Sequence, residues 1–145
     1  MTRDAFDMPL EEEKACYLRG IAFFNAWEFF EAHETWEDAW NGTSGRRRDF
    51  YQGLIQMAVT LVHLQRGNRL GVQKVFAQAL ARWAELPDVY MGINRRDFER
   101  RMRELLCDVL NAPPGSAVRF DPSRFFAIRL EYDPFSRASD EAGDS

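Results

Sequence analysis

The sequence predicts an all-α protein: one compact bundle of about five helices with short connections and an extended C-terminal arm. Three observations predict it. Apolar residues recur at helical spacing through five separate stretches. Cap and stop residues separate those stretches: Asn25, the run "NGTSG" (residues 41–45), Gly67, Pro87 and Asn94. The chain has 145 residues, 46% hydrophobic and 29% charged, which suits a single globular domain.

The elements follow in order. Residues 1–7 read as a loose lead-in. Pro9 then suits a first helical turn, and Glu11, Glu12 and Glu13 favour the positive end of a helix dipole. Leu10, Tyr17, Leu18, Ile21 and Phe24 give helix 1 its apolar period, ending near Phe24. Asn25 reads as the N-cap of helix 2. Glu28 sits at the capping-box position, and Phe24 and Phe29 at the two staple positions. Helix 2 is expected over residues 26–40. Helix 3, over 47–66, is apolar around much of its circumference, as a central helix is, and Gly67 stops it. Helix 4 is expected over 68–86. Asn94, with Asp97 three residues on, starts helix 5, which runs to about Leu110 and ends in "NAPPGS". Residues 117–135 hold apolar residues broken by Pro122 and Pro134, and read as an extended arm packed on the bundle. The domain thus spans 1–135, and the polar, acidic residues 136–145 read as a disordered tail.

Composition narrows the partners. Net charge is −4, from 19 Lys+Arg and 23 Asp+Glu, which argues against a general nucleic-acid binder. The set Arg95, Arg96, Arg100, Arg101 and Arg103 is interrupted by Asp97, Glu99 and Glu104, and reads as a solvated face. Arg46, Arg47 and Arg48 read as a solvated or ion-paired helix start, with an anion clamp as the alternative. Cys16 and Cys107 lack the short spacing of a zinc knuckle or redox dithiol; each reads as a small buried hydrophobe. The N-terminus lacks a signal-peptide pattern, and no apolar run approaches the roughly 20 residues of a membrane span. A cytoplasmic protein with no membrane partner is expected.

The residues that could carry chemistry lie on helices 2 and 3. On a helical wheel Phe29, His33, Trp36 and Trp40 share one stripe, with Phe30 and Glu37 beside it. A histidine and a carboxylate thus stand four residues apart on a face expected to be buried. A buried carboxylate is costly unless paired, and His33 is its nearest partner. Helix 3 repeats the theme with Gln52, Gln56 and His63. The two stripes are expected to form one polar seam of His33, Glu34, Glu37, Gln52, Gln56 and His63, walled by Phe29, Trp36, Trp40 and Tyr51. Three readings stay open. The seam is a hydrogen-bonded network that fixes packing; or it is a small-ligand or anion pocket; or His33, Glu37 and His63 hold a divalent metal and support hydrolase-type activity. No catalytic residue is assigned, and whether the protein is an enzyme stays open. A non-catalytic structural or interaction module is the alternative function, with a homo-oligomer or partner contact through exposed aromatics such as Trp27 or Phe126.

"FFNAWEFFEAHETWEDAW" followed by "DFYQGLIQMAVTLVHLQRGNRLG" resembles the domain-of-unknown-function family numbered 309. The residues that carry the resemblance run from Phe24, Asn25, Phe29, Phe30, Glu31, Ala32, His33, Glu34, Glu37 and Trp40 through Gln52, Gly53, Leu54, Ile55 and Gln56 to His63, Arg66, Gly67 and Asn68. It covers about residues 20–86. It implies a compact all-helical fold and no known activity. It also implies a small residue, often Gly, where this chain has Trp27.

Overall fold

The computed structural model describes residues 7–136, so the expected lead-in and acidic tail lie almost wholly outside the described residues. Five helices form as expected: α1 (Leu10–Asn25), α2 (Phe29–Asn41), α3 (Gly45–Gln65), α4 (Arg69–Trp83) and α5 (Arg95–Leu110). A two-stranded antiparallel hairpin, β1 (Val89–Tyr90) and β2 (Ile93–Asn94), precedes α5. The arm carries one short 3-10 turn at Pro122–Arg124.

The bundle is built from two α-hairpins, α1–α2 and α3–α4, and each is stapled in the same way. In the first, the Trp36 indole lies over Gly20 and its Nε1 donates to the Tyr17 carbonyl at 3.2 Å. In the second, Trp83 lies over Gly53 and donates to the Phe50 carbonyl at 3.0 Å. The glycines are required: a Cβ at Gly20 would stand 2.0 Å from Trp36, and one at Gly53 would stand 2.2 Å from Trp83.

The two turns match as well. Trp27 has φ 66° and Gly67 φ 69°. Just beyond them, Glu28 N–H donates to the Phe23 carbonyl and Asn68 N–H to the His63 carbonyl, each at 2.9 Å. That is the Schellman arrangement, a left-handed residue followed by a 6→1 bond. The position where the family resemblance implies glycine is therefore a left-handed one, and this chain fills it with a tryptophan. Gly20 stands seven residues before its turn residue and Gly53 fourteen before its own. Seven residues are close to two helical turns, so the second hairpin is the first lengthened without changing face.

Helix 2 begins at Phe29 rather than at residue 26 because the left-handed Trp27 interposes a turn. Asn25 is consequently not an N-cap. It is the last residue of α1, and its side-chain amide reaches the arm: Nδ2 donates to the Ile128 carbonyl at 3.1 Å and Oδ1 accepts from Ile128 N–H at 2.7 Å. Glu28 occupies the cap position without a side-chain cap bond. The Phe24 and Phe29 rings do meet, with centroids 5.2 Å apart. Asn94 caps α5 as expected, accepting from Asp97 N–H at 3.0 Å, and Asn68 caps α4 through Gly71 N–H at 3.0 Å. The β-hairpin escaped the sequence reading because its strands have only two residues each. Met91 (φ 51°) and Gly92 (φ 79°) occupy its turn, a Met-Gly pair where Asn-Gly would signal one.

The core is aromatic and lies on α3. Tyr17, Phe24, Trp36, Phe50, Tyr51 and Trp83 are all at most 1% exposed. The arm closes one side, with Phe126, Ile128 and Phe135 buried. It runs back along α5: Arg124 donates to the Glu104 carbonyl, and Glu131 N–H to the Gly92 carbonyl. No helix among the described residues is long and apolar enough to cross a membrane.

Candidate functional site

The inner stripe of α2 is Phe29, Ala32, Trp36 and Ala39, all buried. The two alanines mark the line of closest helix approach. His33 and Glu37 stand off that line on the outer flank, with side chains 16% and 50% exposed. The expected buried seam is therefore a half-open surface. A wheel orders side chains around a helix, but the neighbours decide which direction is covered.

Two contacts set α2's outer flank along α3. Arg48 stacks on Trp40 with its Cζ 4.2 Å from the ring centroid, and the Arg66 Cζ lies 6.0 Å from the Phe30 ring. Between these points His33 bonds within its own helix. Its Nδ1 faces the Phe30 carbonyl and its Nε2 lies 3.1 Å from Glu37 Oε1. Both partners accept, so His33 makes the two bonds together only with a proton on each nitrogen.

His63 turns the other way, toward α4. Asn68 Oδ1 is committed to Gly71 N–H, so its Nδ2 faces His63 Nδ1 at 3.2 Å and donates to it. Gly71 makes room for the ring, since a Cβ there would stand 2.5 Å from it. Among the described residues no three His, Cys, Asp or Glu side chains gather to hold a metal ion. His33, Glu37 and His63 are thus not gathered into a three-ligand set among the described residues. Glu34 is exposed, while Gln52 and Gln56 are half-buried. Gln56 Oε1 and Trp40 Nε1 are buried without a hydrogen-bond partner.

Of the expected walls, only Trp40 borders this surface. Trp36 is sealed under Gly20, Phe29 joins the aromatic core, and Tyr51 faces α1. There Tyr51 Oη donates to Glu13 Oε2 at 2.6 Å, and Arg47 Nε lies 3.0 Å from the same oxygen. Arg47 Nη2 also donates to Met91 Sδ at 3.4 Å, and Tyr17 Oη to the Met91 carbonyl at 2.6 Å. Glu13 is 0% and Arg47 4% exposed. Burial, with Glu13 close by, raises the Tyr51 hydroxyl well above its ordinary pKa; burial does the same for Tyr17. The sequence places Glu13 in a helix-dipole run and Arg47 at a solvated or ion-paired helix start; Arg47 is ion-paired, and buried rather than solvated. Glu13 does fall on the Leu10–Tyr17–Phe24 face of α1, the one signal that set it apart from Glu11 and Glu12.

The two Schellman turns of the motif segments stand beside one another. Gln65 Nε2 donates to the Trp27 carbonyl at 3.3 Å, joining the turns. Phe30 and Leu70 each stand three residues past the left-handed residue of their turn, and they are 45% and 67% exposed. Phe30 is held between Arg66 and the His33 ring, whose centroid is 4.8 Å from its own. Of the expected exposed aromatics, Phe126 is buried against Phe98, and Trp27 is half-buried, packed on the arm residue Phe125 with ring centroids 4.8 Å apart. The Arg-rich face of α5 is laced with ion pairs, Arg95 to Glu99 at 3.0 Å and Arg101 to Asp97 at 3.1 Å among them. Neither cysteine is in a disulfide.

This architecture defines a small all-helical protein of two stapled α-hairpins, a fifth helix and a strapping arm. Residues 17–75 match the family model described as Domain of unknown function (DUF309), which bears out the resemblance carried by the two motifs. The matched span covers most of both hairpins and their turns, and leaves out α5 and the arm. Over 84 residues, 57% of the chain, the sequence is 32% identical to an uncharacterized protein of Aquifex aeolicus. The chain spans only 25% of that protein's length.

Proposed function

We propose that the protein is a non-catalytic interaction module whose recognition surface is the paired-turn end. The observation that carries this reading is the exposure of Phe30 and Leu70 at equivalent positions, one knob from each hairpin, with the Arg66 guanidinium beside Phe30. The polar groups nearby are largely spent on neighbours: His33 on Phe30 and Glu37, His63 on Asn68. This end offers a partner apolar surface beside a guanidinium, a composition that anchors protein contacts. Two cysteines outside disulfides fit a reducing, cytoplasmic setting. A photo-crosslinking residue placed at position 30 in cells tests the reading. Adducts are expected there, absent from the same residue at exposed Gln78 and lost with Arg66→Ala. Equal labelling at positions 30 and 78 would sink it.

A second reading keeps the flank of α2 and α3 as a small-ligand site. It rests on Gln56 Oε1 and Trp40 Nε1, an acceptor and a donor that are buried yet unpartnered. Each such group costs about 1–3 kcal/mol. If burial is the whole story, Gln56→Leu raises the midpoint of thermal unfolding. A polar small molecule that stabilises the wild type in a thermal-shift screen, and not Gln56→Leu, would establish the site.

A further inference from the structure

A cleft of about 410 Å³ lies between the arm and the start of α5, far along the chain from the paired-turn end. Its lining includes Phe98, Asp97 and Arg101 of α5 and Phe126, Arg129 and Glu131 of the arm. The arm here runs outside any helix or strand. Exposure alternates from Phe126 to Glu131, with Phe126 and Ile128 buried and Ala127, Arg129 and Glu131 exposed.

In an extended chain the main-chain polar groups of successive residues point to opposite edges. Ile128 uses one edge, giving its N–H and C=O to Asn25. Glu131 uses the other, donating to Gly92. Ala127 and Arg129 share the edge of Glu131, and no main-chain bond engages either among the described residues. The arm and the hairpin therefore meet at Glu131 and diverge toward Ala127, and the cleft is the gap they leave. Arg129 makes no ion pair among the described residues, whereas Arg101 is paired with Asp97.

We propose that this cleft binds an extended peptide of a protein partner by strand addition. The peptide lies along the arm and exchanges hydrogen bonds with the main chain of Ala127 and Arg129. An apolar side chain rests on Phe98 and Phe126, and an acidic one meets Arg129. Pairing along an unused edge supplies affinity, and the pockets beside it supply selectivity. A cleft of this volume falls within the range of ligand sites, about 300–1,000 Å³, and takes only a short segment.

The probe is an acetylated, amidated hexapeptide of alternating isoleucine and glutamate, titrated into ¹⁵N-labelled full-length protein. The amides of Ala127 and Arg129 are expected to shift together and saturably. A peptide N-methylated at every residue, which has no main-chain donor on either edge, should bind at least tenfold more weakly. Arg129→Pro removes the main-chain donor and should abolish binding. Arg129→Gln keeps that donor and should weaken binding only severalfold. Phe30→Ala should leave the titration unchanged, which separates this proposal from the paired-turn reading. Unshifted amides at millimolar peptide, or equal binding of the N-methylated peptide to wild-type protein, would overturn the proposal. The second comparison stands even if Arg129→Pro does not fold.

Discussion

Two sites in this protein illustrate conformations or charges that ordinary preferences oppose. Arg47 and Glu13 form an ion pair removed from solvent, tied to Tyr51 and Met91. Desolvating such a pair costs several kcal/mol per ion, so its net value is small while both partners remain. Removing one is different, because it strands the other. Arg47→Met should lower unfolding free energy by about 3–5 kcal/mol in urea denaturation. The triple variant Glu13→Leu, Arg47→Met, Tyr51→Phe replaces the whole cluster with hydrocarbon and should recover most of that loss. A triple variant as unstable as the single one would mean that the cluster contributes net stability.

Trp27 is the other case. A left-handed non-glycine residue costs about 1–3 kcal/mol, and this one is offset by ring contacts with Phe125 and Phe29. Trp27→Ala loses the ring and keeps the strain; Trp27→Gly loses the ring and the strain together. Trp27→Gly should therefore be the more stable variant by about 1 kcal/mol. Equal midpoints would show that the turn stores no backbone strain.

At the scale of elements, the glycine–tryptophan staples fix how the helices of each hairpin cross. Glycine inside a helix costs about 1 kcal/mol relative to alanine, so Gly53→Ala would stabilise α3 in isolation. Packing reverses the sign. A Cβ 2.2 Å from Trp83 must displace an indole that is fully buried and bonded to Phe50. Overpacking of this kind costs about 1–3 kcal/mol, and the indole hydrogen bond is at risk besides. A net loss of about 1 kcal/mol is expected by thermal unfolding, from the surplus of overpacking over helix propensity. A gain would mean that α3 and α4 can slide apart freely. The helices themselves were legible in the sequence because their apolar periods and caps are local. The staples were not, since Gly20 and Gly53 read only as weak points until the partner helix shows what they admit. Asn25 is the same lesson at an end. It has the chemistry of an N-cap, and the arm, 103 residues away, takes its amide instead.

For the whole molecule, Tyr17 and Tyr51 set the alkaline limit. Their hydroxyls ionise well above the ordinary value of 10.0 in the folded chain, because burial opposes the phenolate. In the unfolded chain both ionise near that value. The stability they lend is thus complete below about pH 10 and is lost as pH rises beyond it. Urea midpoints measured from pH 8 to 11.5 should fall above pH 10, less steeply in Tyr17→Phe. A flat profile would contradict the buried state of these phenols.

Sequence alone determined the helical class, the order of the helices, the cap at Asn94, the stop at Gly67 and the packed arm. All of these depend on spacing along one chain segment, and residues 17–75 match the family model that the motifs resembled. Only the tertiary structure decided which flank of each helix is covered. His33 and His63 were read as sharing one buried seam, but α2 packs through Ala32 and Ala39, and His63 is drawn to Asn68 on α4. Glu13, one of three consecutive glutamates, is buried because Arg47 arrives from the next hairpin. Burial is a property of neighbours, and neighbours come from folding the chain back on itself.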